Sequence, residues 1–81
     1  MEPSNLIARF WDLQSKVDEI ARYLAPLEDV LRQILEDDRV LVRFVREVEL
    51  DEVEKFYTYL RGECERVLKL LAEIRARYAL G

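Results

Sequence analysis

The side chains best equipped for chemistry in this sequence are its carboxylates. They gather at Glu36-Asp37-Asp38 and again at Glu47, Glu49, Asp51, Glu52 and Glu54. Paired carboxylates can bind a hard cation or serve as acid and base. Such residues also collect at helix ends and in solvated connections, and here they flank apolar runs in that way. The expectation is therefore solvated caps, with no metal, no cofactor and no catalytic residue.

The rest of the catalytic repertoire is thin. Histidine is absent, which removes His-dependent triads and the Glu-x-x-His ligand pairs of helical di-iron bundles. Cys64 is the only cysteine, too few for a structural zinc site or an internal disulfide. The glycines are Gly62 and Gly81, so no glycine-rich phosphate loop exists. The chain is expected not to be an enzyme.

Two aromatic residues could recognise a ligand or partner. Trp11 sits at the edge of an apolar stripe beside Ile7, where an amphipathic ring can anchor an interface. It could equally close the end of a bundle core. Tyr59, with Arg61 and Arg66, could stack on bases, but a solvated tyrosine suits the acidic balance better.

The elements that must carry these residues follow from apolar periodicity. Stepping alternately by four and three from Leu6 meets Phe10, Leu13, Val17, Ile20, Leu24, Leu27, Leu31 and Ile34, all apolar, before Asp38 interrupts. A second series runs from Leu50 through Val53, Tyr57, Leu60, Cys64, Val67, Leu71, Ile74 and Tyr78. Each covers about four heptads, enough to suggest coiled-coil-like packing. The series are out of phase, because extending the first would put Glu52, Lys55 and Tyr59 in the seam. One straight helix cannot present both.

The expected fold is all-α, a single domain over 1–81. It comprises a helix over about 4–36 kinked near Pro26, a connecting segment over about 38–49 and a helix over about 51–79. Ser4 or Asn5 is expected to cap the first helix, and Asp51 with Glu54 resembles a capping box for the last. Arg75 and Arg77 suit a final turn, with Gly81 beyond it. Pro26 either kinks the long helix or opens a second one. The unbroken heptad register favours the kink. Residues 39–49 are ambiguous: Leu41, Phe44, Val45 and Val48 fit a helical face, while Val40, Val42 and Phe44 alternate as in a strand. A short helix needs no partner strand and is preferred.

With Phe10 at a and Leu13 at d, Ile7, Ala21 and Leu35 fall at e, Val30 at g and Trp11 at b. With Tyr57 at a and Leu60 at d, Phe56 and Leu70 fall at g and Leu68 at e. A two-stranded seam needs only a and d. Leaving half a dozen such flanking residues wet would forfeit about 10 kcal/mol, comparable to the stability of a small domain. A long antiparallel hairpin that dimerises into a four-helix bundle would cover them. The interface is expected at Phe56, Leu60, Cys64, Val67, Leu70, Leu71 and Ile74, with Cys64 a small buried hydrophobe. Ile7 and Trp11 remain for a different protein.

Composition agrees with a partner-dependent helical chain. Of 81 residues, 51% are hydrophobic, while only 2 are Gly and 2 Pro. A chain this short buries only about 60% of its unfolded surface. Charged residues, at 37%, exclude a membrane-embedded chain, and no apolar run reaches the roughly 18 residues of a span. Met1-Glu2-Pro3-Ser4 lacks a basic region before an apolar stretch, so no secretory signal is expected. The lone cysteine suits a reducing, cytoplasmic setting. A net charge of −4 makes nucleic acid a poor direct partner. Arg greatly outnumbers Lys and Asn, Gln, Met and Cys are scarce, a thermophile-like composition that a GC-rich genome would also produce.

The leading functional expectation is a non-enzymatic protein–protein interaction module, a homodimer or a small accessory subunit of a larger complex. The alternatives are a nucleic-acid-associated factor using Arg39, Arg43 and Arg46, and a structural subunit of a virion- or filament-like assembly.

Overall fold

The computed structural model describes residues 3–80 and the side chains of 4–79. It is all-helical: among the described residues only Arg22, Tyr23, Asp37, Val48 and Glu49 lie outside helices. The elements are α1 (Pro3–Ala21), α2 (Leu24–Glu36), α3 (Asp38–Glu47) and α4 (Leu50–Leu80). Contacts divide the chain after Phe44 into two units.

In the first unit, α1 begins at Pro3, whose fixed φ suits an opening turn. Ser4 and Asn5 therefore lie inside the helix and are not its N-caps. Exposed pairs four residues apart line its polar side. Lys16 Nζ lies 3.2 Å from Asp12 Oδ2, and Gln14 Nε2 donates to Asp18 Oδ1 at 3.0 Å. Each such pair adds a few tenths of a kcal/mol, about 0.2–0.5.

The expected kinked helix over 4–36 is instead broken at Arg22 and Tyr23. The amide of Arg22 still donates to Asp18 O at 3.2 Å, but that of Tyr23 tightens onto Ile20 O at 3.1 Å. Tyr23 O then accepts the first bond of α2, from Leu27 N at 3.1 Å. Pro26 is thus the third residue of α2, where an amide has no intrahelical acceptor and its loss costs nothing. The carbonyl four residues back belongs to Arg22, outside the helix, so the ring meets no helical carbonyl.

Asp37 ends one helix and starts the next. Its backbone is extended (φ −121°, ψ 105°) and its amide donates to Ile34 O at 3.3 Å. Its Oδ1 accepts from the amides of Arg39 at 3.0 Å and Val40 at 3.4 Å, and its O accepts from Leu41 N at 2.9 Å. Asp38, the residue that interrupts the apolar series, is the first residue of α3. The ambiguous segment is therefore helical up to Glu47. Its β-branched residues do not prevail, because a lone strand would leave its backbone groups without partners.

In the second unit, α4 runs without interruption for 31 residues, about 46 Å at 1.5 Å per residue. Glu49 O accepts from the amides of Glu52 and Val53, both at 3.1 Å, so α4 begins at Leu50. Asp51 sits in the first turn with Glu52 and is not the N-cap, so the expected Asp51–Glu54 box is not formed. Both carboxylates still complement the helix dipole, as does Arg77 in the last turn. The expected stop at Gly81 lies outside the described residues.

No described residue is buried. The nearest approach to a core is a scatter of half-buried positions that includes Ile34, Leu41, Phe44, Val48 and Leu60. Leu, Ile, Val and Phe are among the residue types most often hidden in folded proteins. Here they form stripes on helix surfaces.

Candidate interaction surface

The surface is built from three helical stripes. On α1, Leu6, Phe10, Leu13, Val17 and Ile20 recur at helical spacing, and all are exposed. Ile7 and Trp11 widen this stripe at its N-terminal end, and Trp11 is 61% exposed. The Trp11 ring stands edge-on to Phe10, with centroids 5.2 Å apart and planes at 71°. This T-shaped contact props the indole against its neighbour while leaving most of it in solvent. The two residues proposed from sequence for a partner, Ile7 and Trp11, are thus one turn apart on the same exposed edge.

On α2, Leu24, Leu27 and Leu31 continue the apolar series and are exposed, while Ile34 is half-buried. Val30 and Leu35 flank them, and both are exposed.

On α4 the stripe is longest. Val53, Tyr57, Val67, Leu71 and Ile74 are exposed, Leu60 is half-buried, and Phe56 and Leu70 extend the face on one side with Leu68 on the other. Phe56 and Tyr57 repeat the aromatic arrangement of α1, with centroids 5.1 Å apart at 84°. A paired aromatic step thus lies near the N-terminal end of the α1 stripe and of the α4 stripe. Adjacency in sequence could have revealed this, but the heptad labels split each pair between seam and flank. Cys64, expected as a small buried hydrophobe, is exposed within the single chain. A helix surface alone offers it no cover, so its burial depends on what packs against α4.

The polar sides of the helices hold themselves in place locally. Arg32 Nε lies 3.4 Å from Glu28 Oε2, Lys55 Nζ 3.3 Å from Glu52 Oε1, and Arg66 Nη1 2.6 Å from Glu63 Oε1. These exposed pairs contribute little stability, about 0–1 kcal/mol each. Their effect is to keep charge off the stripes.

The carboxylate clusters flank the breaks between helices. Asp37 is spent on the α3 cap, and Glu52 on its ion pair with Lys55. Among the described residues, no three His, Cys, Asp or Glu side chains come together in a group fit to hold a metal ion. Arg39, Arg43 and Arg46, considered for nucleic acid, share one face of α3 through spacings of four and three. Tyr59 lies beside Asp51, Glu54, Lys55 and Thr58 along an open concavity of about 570 Å³ on α4. Two carboxylates there would repel a phosphate. Among the described residues, no helix is long and apolar enough to cross a membrane.

No protein-family model, no curated protein and no solved structure matches this chain.

Proposed function

We propose that this chain is a non-enzymatic helical interaction module. It associates with a second copy through α4 and presents the Ile7–Trp11 end of α1 to a larger protein, as an accessory subunit. In this reading α1 and α2 lie antiparallel to α4 as a hairpin with coiled-coil-like packing. Two hairpins complete a four-helix bundle in the cytoplasm.

One observation carries the proposal: three stripes of large apolar side chains run the length of the helices, and not one described residue is buried. Monomeric soluble proteins rarely expose contiguous apolar patches beyond a few hundred Å². Each half-exposed Leu, Ile, Val or Phe has about 1 kcal/mol still to gain from cover. About nine such residues on the α4 face of each copy bring a dimer near 18 kcal/mol, enough to exceed an association cost of about 4–15 kcal/mol.

Static light scattering at tens of micromolar tests this reading. A defined oligomer, most simply a dimer, is expected. A well-folded monomer at that concentration would overturn it. Open-ended polymers would favour a filament-like subunit, and salt-sensitive retention on DNA or RNA the nucleic-acid reading.

A further inference from the structure

We infer that α4 pairs with α4 of a second copy in antiparallel orientation, about a twofold axis between Glu65 and Arg66. This rests on the self-association proposed above and adds its direction and register.

In an antiparallel pair of helices, each a residue packs beside a d residue of its partner. The α4 stripe is self-complementary under that operation. Cys64 meets Val67 of the second copy, Leu60 meets Leu71, Tyr57 meets Ile74 and Val53 meets Tyr78. Leu50, opposite position 81, is the one seam residue left over, and no slip within the helix is needed, because α4 is one uninterrupted helix from Leu50 to Leu80. A heptad repeat on a helix of 3.6 residues per turn drifts by about 20° per heptad, so the pair winds gently left-handed.

The flanking charges select this arrangement. At the e positions Glu54 faces Arg75 of the second copy, twice by symmetry, and Arg61 faces Leu68. At the g positions Phe56 faces Arg77, a cation–aromatic contact, and Glu63 faces Leu70. Glu63 is already drawn sideways by Arg66 at 2.6 Å, so its charge need not sit on the leucine. Arg61 can lay its aliphatic stem along Leu68 and keep its head in water. Sliding the pair by one heptad in one direction sets Arg61 against Arg61 and Glu63 against Glu63. Sliding it the other way sets Arg61 against Arg75, which offsets the Glu63–Arg77 pair that this slip forms. The first slip keeps as many seam layers but forms no ion pair between the α4 helices, and the second loses a seam pair in each half. A parallel pair places Phe56 beside Arg61, Glu63 beside Leu68 and Leu70 beside Arg75, and forms no ion pair at all. The antiparallel pair also opposes the two helix dipoles.

The area depends on the flanks as well as the seam. A stripe about 10 Å wide along about 46 Å of helix covers about 450 Å² per copy, or about 900 Å² in total. Specific interfaces begin near 1,200 Å², so the flanking residues must supply the remainder. Phe56, Leu68 and Leu70 widen the stripe.

The test uses the full chain in two measurements, after light scattering has established its mass. First, a spin label on a non-natural amino acid replacing Glu52 reports the distance between copies. The antiparallel pair puts the labels about 40 Å apart along the axis, whereas a parallel pair puts them at one level, within about 25 Å. Second, Glu54→Arg and Arg75→Glu are each expected to weaken dimerisation by roughly fivefold, since two pairs turn repulsive. The double variant is expected to return to within about twofold of the original. A dimer with short label distances, or a charge exchange that does not restore association, overturns the antiparallel assignment while leaving self-association standing. A folded monomer overturns both.

Discussion

Asp37, the single residue that separates α2 from α3, accepts a hydrogen bond at its Oδ1 from the backbone amide of Arg39 at 3.0 Å. This contact satisfies an amide at the start of α3 that the helix itself cannot serve. It also places a carboxylate at the positive end of the helix dipole.

Replacing that carboxylate has a definite consequence. Asp37→Ala is expected to lower stability by about 1 kcal/mol through loss of the cap. Asp38→Ala removes only a first-turn charge and is expected to cost less, about 0.3–1 kcal/mol. Chemical denaturation of both variants, followed by helical circular dichroism, measures the difference. Equal losses would show that charge alone, and not the Asp37 hydrogen bond, holds the start of α3.

Gly62 lies inside α4, and a methyl group built on it meets nothing within 4 Å. It falls at an outward f position of the α4 repeat. Gly62→Ala is therefore expected to stabilise the helix by about 1 kcal/mol, a rise of about 4–8 °C in Tm for a chain of this size. Thermal unfolding at fixed protein concentration reads this. A fall in Tm would mean that a partner's backbone approaches α4 at this position.

Trp11→Ala is expected to weaken attachment to the larger protein by at least roughly tenfold, about 1.4 kcal/mol. Self-association is expected to survive, because Leu60, Val67, Leu71 and Ile74 are untouched. Co-purification from the native cell, with light scattering of the same variant, reports both quantities. A variant that keeps its partner but falls apart as an oligomer would reassign Trp11 to the bundle core.

The sequence by itself determined that the chain is helical and which side of each helix is apolar. Periodicity sets both, because steps of four and three place residues on one face whatever surrounds them. It also located the interruptions near Pro26 and Asp38, where proline geometry and a carboxylate in the seam oppose a continuous helix. Their form was decided elsewhere. The unbroken heptad register masked the break at Arg22–Tyr23, since two turn residues kept the apolar spacing while the Tyr23 amide bonded Ile20 O, three residues back, and not Glu19 O, four back. The cap fell to Asp37 and not Asp38, and α4 opened at Leu50 from Glu49, because a shift of one residue changes which oxygen reaches which amide. Local hydrogen bonds settle that, and residue type alone does not. The exposure of Ile7, Trp11, Cys64 and the α4 stripe likewise became visible only in three dimensions. A pattern of apolar residues specifies a face, while burial depends on what another surface brings against it.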